Sequence, residues 1–199
     1  MLVLGPGTGL GAAALLPFGE RFAIQPTEAA HMDFGPTDER EAALWSKVER
    51  VGGRITAETL LSGPGLLRLY RARALTTGRA AICSTPEAVT AAGIAGTDEI
   101  AVDALRLFAR LLGRFAGDLA LVFDTTGGVF VSGGIAPRMV EMLRAGHFRA
   151  GLEDKAPYAD LMRRIPAWVI MQPVPAFEGL TAILSRPDVF LFASQTWST

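Results

Sequence analysis

Cysteine is nearly absent from this 199-residue chain: Cys83 stands alone, so no internal disulfide can form. His31 and His147 are its only histidines, and one cysteine with two histidines makes too small a ligand set for a zinc site; no metal ligand is predicted. An excess of one charge is missing as well. Nineteen Lys and Arg stand against 20 Asp and Glu, a net charge of −1, so no basic field calls for a nucleic-acid or membrane-surface partner. No apolar run is free of charge for long enough to span a bilayer, and Met1-Leu2-Val3-Leu4 lacks the charged start and long apolar core of a signal peptide. Repeats, low-complexity tracts and charge blocks are also lacking. The expectation left standing is a soluble, cytoplasmic protein.

What the chain does have is apolar residues and glycine. Half of its residues are hydrophobic and the mean hydropathy is +0.31, enough for a substantial core in one large domain or one lobe of a larger protein. Residues 1 to 4, 11 to 16 and 21 to 25 read as short strands. The start signal Pro36-Thr37-Asp38-Glu39 opens a predicted surface helix over 37–50. A short helix over 55–61 is capped by Thr56, Gly63-Pro64-Gly65 breaks it, and helical spacing resumes over 66–74. From 98 to 122, Glu99, Asp103, Arg106, Arg110, Arg114 and Asp118 recur every three or four residues, predicting one wet stripe on a helix otherwise buried. Residues 127–134 read as a buried strand ending in a glycine pair, 137–145 as a helix, 168–171 as a strand and 178–184 as a helix. Alternating strands and helices in the second half point to an α/β sheet. Cys83 reads as a small apolar side chain and His147 as part of a loop or helix end.

Two glycine segments carry a chemical signal. Gly5-Pro6-Gly7-Thr8-Gly9-Leu10-Gly11 is neither a P-loop, since it lacks the lysine, nor a dinucleotide turn, since a second strand-like run follows it in place of a clear helix. As a strand–turn–strand loop it offers N–H groups and the Thr8 hydroxyl to phosphate oxygens; it equally fits a plain hairpin turn. Ser132-Gly133-Gly134-Ile135-Ala136-Pro137-Arg138 places a strand end, glycines and a helix start in succession, the position where α/β sheets hold ligands, or where a strand simply packs close to a helix.

A third constellation is polar. Glu28 and His31, three residues apart, suit a neutral polyol: a carboxylate accepts from two neighbouring hydroxyls and an imidazole donates or accepts once. A histidine satisfied by local backbone is the plain alternative. Glu58 reads by itself as a first-turn glutamate favoured by the helix dipole.

Four stretches taken together resemble the bacterial ATP-dependent glucokinases of the non-ROK type. They are Gly5 to Gly11, Glu28-x-x-His31-Met32-Asp33-Phe34, Ala57-Glu58 through Leu61-Ser62-Gly63-Pro64-Gly65-Leu66 to Tyr70-Arg71, and Gly113 to Leu121 running into Gly127 to Arg138. The resemblance covers nearly the whole chain. It implies an actin-like, ribonuclease H-like ATPase lobe, an α/β mixed sheet with helices on both faces, spanning 1–199 as the C-terminal lobe. It implies that Glu28, His31 and Glu58 bind glucose, that Gly7, Thr8 and Gly9 face the ATP phosphates, and that Gly133 and Gly134 form the adenosine-side motif. ATP is the implied cosubstrate, with Mg²⁺ carried on it, and a homodimer is compatible with the family. Ala29 and Ala30 stand where the family commonly has glycines.

The family's N-terminal lobe carries an Asp-containing glycine loop and an Asn-Asp pair whose Asp takes the proton from the sugar 6-hydroxyl. No Asn occurs in this chain, so that pair is not within it and no residue here is assigned as catalytic. The expectation is a glucokinase as the intact protein, with the 199 residues alone inactive or nearly so. The alternative is a non-catalytic sugar- or nucleotide-binding module or a truncated paralogue.

Overall fold

A computed structural model describes residues 1–191. Strands β1 (Leu2–Pro6), β2 (Leu10–Phe18) and β3 (Arg21–Thr27) form an antiparallel meander. Strand β4 (Val129–Val131) pairs parallel to β1, β5 (Ala167–Val169) parallel to β4, and β6 (Phe190–Leu191) parallel to β3. The result is one mixed six-stranded sheet in the order β5-β4-β1-β2-β3-β6. Its pleat follows from the sequence: Leu2, Leu4 and Pro6 are buried while Val3 and Gly5 between them are not, and Leu10 and Ala14 of β2 join the buried side.

Between β3 and β4 come α1 (Glu39–Trp45), α2 (Ala57–Leu60), α3 (Gly63–Thr77), α4 (Pro86–Ala95) and α5 (Glu99–Phe123). After β4 follow α6 (Val140–Arg144), α7 (His147–Glu153) and α8 (Ala159–Arg164), and α9 (Pro175–Ser185) lies between β5 and β6. Short 3₁₀ turns occupy Ala29–His31 and Ala136–Met139. The helix expected over 37–50 is thus confined to α1, capped by Asp38, and the strand expected over 127–134 is three residues long. Gly63-Pro64-Gly65 does not break a helix; it is the first turn of α3. Ser62 supplies the cap by accepting the Gly65 amide at 3.1 Å, and Pro64 sits where no intrahelical N–H is needed.

Helix α5 is the axis of the core. Ala101, Ala104, Leu105, Phe108, Leu112 and Phe115 are fully or almost fully buried along it. Its contact with α7 is backbone against backbone. A Cβ on Gly113 would overlap the Phe148 carbonyl, one on Gly151 the Arg110 carbonyl, and one on Gly117 would lie 2.7 Å from the Leu152 oxygen. A mid-helix glycine costs about 1 kcal/mol of helix propensity, which the close crossing offsets.

Arg114 does not belong to the wet stripe on which its spacing places it. It is 7% exposed and paired with Glu41 of α1 at 2.7 Å. Its other arm donates to the Gly35 carbonyl at 2.7 Å, and the guanidinium lies 4.1 Å from the centre of the Phe34 ring. Glu41 also accepts from the Thr37 amide and hydroxyl at 2.8 and 3.0 Å. Both charges therefore have the extra hydrogen bonds that make a buried pair tolerable. A second polar node starts α5. Asp98 caps it by accepting the Ile100 amide at 2.8 Å and takes the Tyr70 hydroxyl of α3 at 2.7 Å. Burial pulls the Asp98 carboxyl up, but the bonds from Tyr70, Ile100 and Ala101 outweigh it and leave it below the usual carboxylate range.

Arg114→Met is expected to destabilise by about 3–5 kcal/mol, because it strands a buried carboxylate. The double variant Arg114→Met/Glu41→Leu should recover most of that loss in a urea titration; equal losses in both would refute the pairing. Because the folded Asp98 value is lowered, its contribution is present above pH ~3.9 and fades as pH falls through the folded value. Asp98→Asn should flatten that acid limb of the stability curve, and an unchanged limb would remove Asp98 as its source.

Candidate functional site

The site is built on the β1–β2 hairpin. Gly5, Gly7, Gly9 and Gly11 alternate along it, so one face of the hairpin is bare backbone. A Cβ at Gly5, Gly7 or Gly11 would meet nothing within 4 Å, so the fold itself does not require glycine there. Thr8 forms the exposed tip, with Gly7 N–H bonded across it to the Gly9 carbonyl at 2.8 Å.

Two clefts open on either side of that tip. The first, about 480 Å³, is lined by Thr8, His31, Arg54, Glu58 and Arg68 among others. Backbone bonds bring its walls together: Phe34 N–H to Ile55 O at 2.9 Å, Ala57 N–H to Met32 O at 3.1 Å, and a bridge between Asp33 and Thr56. Thr56 and Thr59 form a reciprocal capping box that starts α2 and presents Glu58. Glu58 Oε2 accepts the Leu10 amide at 2.8 Å. Glu28 lies beside the cleft, not in its wall. Its side chain is 90% exposed, and the carboxylate stands 3.6 Å from His31 Nε2. Arg54 Nε donates to Asp33 Oδ1 at 2.8 Å, and that bond with the negative charge of Asp33 raises the guanidinium above its ordinary value.

The second cleft, about 440 Å³, is lined by Gly7, Thr8, Pro86, Glu87, Gly134 and Arg138 among others. Thr8 and Pro64 form the wall shared by both. Gly133 stands just outside this lining and seats the loop. Its φ is +84°, and a Cβ would overlap the Pro6 carbonyl, while a Cβ on Gly134 would meet nothing within 4 Å. Gly9 likewise lies off the lining, against the Glu58 carboxylate.

The structure therefore brings His31, Glu58 and Thr8 to one cleft and Gly7, Thr8 and Gly134 to the other. Sequence reasoning gave no role to Arg54, Arg68, Glu87 and Arg138. Arg138 ends the Gly-Gly-Ile-Ala-Pro-Arg segment, and Glu87 follows the cap-and-proline signature Thr85-Pro86 that starts α4, so both had a legible signal. Among the described residues no group of three or more His, Cys, Asp or Glu is placed to hold a metal ion, and no helix is long and apolar enough to cross a membrane.

Known structures share this fold. The glucokinase of an Antarctic psychrotroph superimposes with a TM-score of 0.83 at 29% identity, over 92% of this chain and 57% of that one. The Balamuthia mandrillaris glucokinase solved with glucose gives 0.74 at 23% identity over 87% of this chain and 50% of that one, a likeness of fold. The architecture is that of the actin-like ATPase sugar kinases: an α/β mixed sheet with packed helices and a glycine hairpin at its centre. The family model for glucokinase matches residues 1–187, and the chain belongs to that family. It is 47% identical over 189 residues to the glucokinase of Mesorhizobium japonicum, covering 95% of this chain and 55% of that protein. The chain thus spans about half the length of the curated relatives it matches.

Gly133→Ala is expected to cost about 1–3 kcal/mol through its left-handed backbone and the collision with Pro6. Gly134→Ala should stay within about 0.5 kcal/mol. Thermal unfolding of the two variants measures the contrast, and equal losses would sink the account of the loop.

Proposed function

We propose that residues 1–199 form the sugar- and nucleotide-binding lobe of an ATP-dependent glucokinase, which transfers the γ-phosphoryl group of ATP to the 6-hydroxyl of glucose. One observation carries this reading: Thr8, with Pro64 beside it, walls both a polar cleft holding His31 and Glu58 and a glycine-edged cleft holding Gly7 and Gly134. A transfer reaction needs two ligands held that close together, with the reacting groups at their junction.

In this reading Glu58 accepts from sugar hydroxyls and His31 donates or accepts beside it, with Glu28 orienting His31 from 3.6 Å. The bare hairpin face offers N–H groups and the Thr8 hydroxyl to phosphate oxygens, and the Gly133-Gly134 turn borders the nucleoside side. Magnesium arrives as part of the nucleotide. The residues of this chain bind and orient; the proton acceptor for the 6-hydroxyl comes from the part of the relatives' length that the chain does not cover.

The test is hexose phosphorylation, measured by a coupled assay with glucose and ATP–Mg²⁺, on the chain extended upstream to the length of its relatives. Turnover is expected, together with little or none from the 199 residues alone. Sugar and nucleotide binding without turnover in the extended protein would leave a binding module instead. In the active protein, Glu58→Gln should raise the glucose KM by about tenfold, the equivalent of one hydrogen bond to a charged group. Unchanged kinetics would return Glu58 to a first-turn glutamate favoured by the dipole of α2.

A further inference from the structure

The hydrogen bond from Leu10 to Glu58 has no part in forming the sheet, and the hairpin ladder explains why it is there. The Leu15 N–H to Met1 O bond and the Gly7 N–H to Gly9 O bond mark the directly bonded pairs of β1 and β2. Pro6 and Leu10, one step along, are therefore a non-bonded pair whose polar backbone groups point outward. On the β1 side the Pro6 carbonyl accepts the Ile135 amide at 3.4 Å. On the β2 side the neighbouring strand has already ended, since β3 reaches only to Thr27 opposite Ala12. Leu10 is 6% exposed, so its amide would be a buried orphan. Glu58 Oε2 takes it at 2.8 Å.

Space has been left for that carboxylate. A Cβ on Gly9 would stand 2.6 Å from Glu58 Oε2, the one collision that any glycine of the hairpin's bare face would suffer. On the other side of Thr8, the first amide of α3, Gly63 N–H, holds the Gly7 carbonyl at 2.7 Å. The tip is pinned on both flanks, and one of the two pins is a wall of the sugar cleft. Among the described residues Glu58 Oε1 accepts no hydrogen bond, so one oxygen is committed to the loop and the other is free for a ligand.

Building on the function proposed above, we propose that Glu58 is a positioning residue for the Gly7-Thr8-Gly9 loop as well as a sugar ligand, so that sugar occupancy and loop geometry are coupled through one carboxylate. Coupling of this kind is reciprocal: a sugar that orders Glu58 orders the loop, and a nucleotide that orders the loop tightens the sugar site.

The experiment is amide hydrogen exchange at Leu10, read by NMR on the 199-residue chain. Glu58→Ala is expected to accelerate exchange at Leu10 by about tenfold, one charge-assisted hydrogen bond, with Glu58→Gln within about threefold of the parent because its amide oxygen still accepts. Gly9→Ala should match Glu58→Ala although Glu58 is intact, since the new methyl displaces the carboxylate; it also serves if Glu58→Ala does not fold. Leu10 exchange within about twofold of the parent in both Glu58→Ala and Gly9→Ala would overturn the latch. In the extended, active protein, Glu58→Ala and Gly9→Ala should raise the ATP KM while Glu58→Gln raises only that for glucose; a pure sugar ligand would leave the ATP KM alone in all three, and that result also overturns the proposal. Should the extended protein fail to phosphorylate hexoses, the functional reading falls, whereas the exchange at Leu10 still decides the latch.

Discussion

The buried pair of Arg114 and Glu41 is the constraint on which the wall carrying His31 rests. Arg114 comes from the middle of the longest helix, α5, and reaches both the irregular segment 34–38 and Glu41 in the first turn of α1. Its guanidinium satisfies the Gly35 carbonyl, neutralises Glu41 and lies on the Phe34 ring, while the Trp45 indole donates to the Phe34 carbonyl at 2.7 Å. Phe34 then bonds to Ile55, and the chain before it runs back to His31. A charged side chain in the core thus fixes a loop that a purely apolar contact would leave free to slide. Five donors in a planar fork give it that directional hold.

Other parts of the fold are fixed by the absence of side chains. Where α5 meets α7, glycine lets two helices approach to backbone contact; where the hairpin meets Glu58, glycine leaves room for a carboxylate. On the rest of the hairpin's bare face nothing within the described chain fills the space. The glycines therefore divide into those that the fold uses and those that it leaves exposed, and only the second set is available to a ligand.

Much of this was legible in the sequence. Apolar runs on either side of the glycine loop announced β1 and β2, the Thr56 signature announced α2, and charge spacing announced α5 almost to its ends. The failures have physical causes. Gly63-Pro64-Gly65 carries the residues of a break, but Ser62 caps the turn and makes them a beginning. Helix α4, rich in alanine and glycine, and the short helices α7 and α8 offer too little periodicity, and β6 is two residues long. Arg114 falls in register with solvent-facing charges; only the return of residues 34–41 over α5 buries it. For the site, the residue types of the two clefts were readable, but the roles of Gly9 and Gly133 were not, because a close approach between distant segments leaves no trace in local sequence. The Leu10–Glu58 bond, 48 residues apart along the chain, is of the same kind.

The partition between the two clefts is two residues, the exposed tip Thr8 and Pro64 in the first turn of α3. A wall this thin has no independent sides. Any change in its volume or rotamer is felt in both chambers at once, so evolution cannot retune one ligand's fit at Thr8 without disturbing the other's. A change that is to alter one cleft alone must therefore fall on its far wall, around His31, Arg54 and Arg68 in the first and around Glu87 and Arg138 in the second. The middle of the site is left as the part least free to vary.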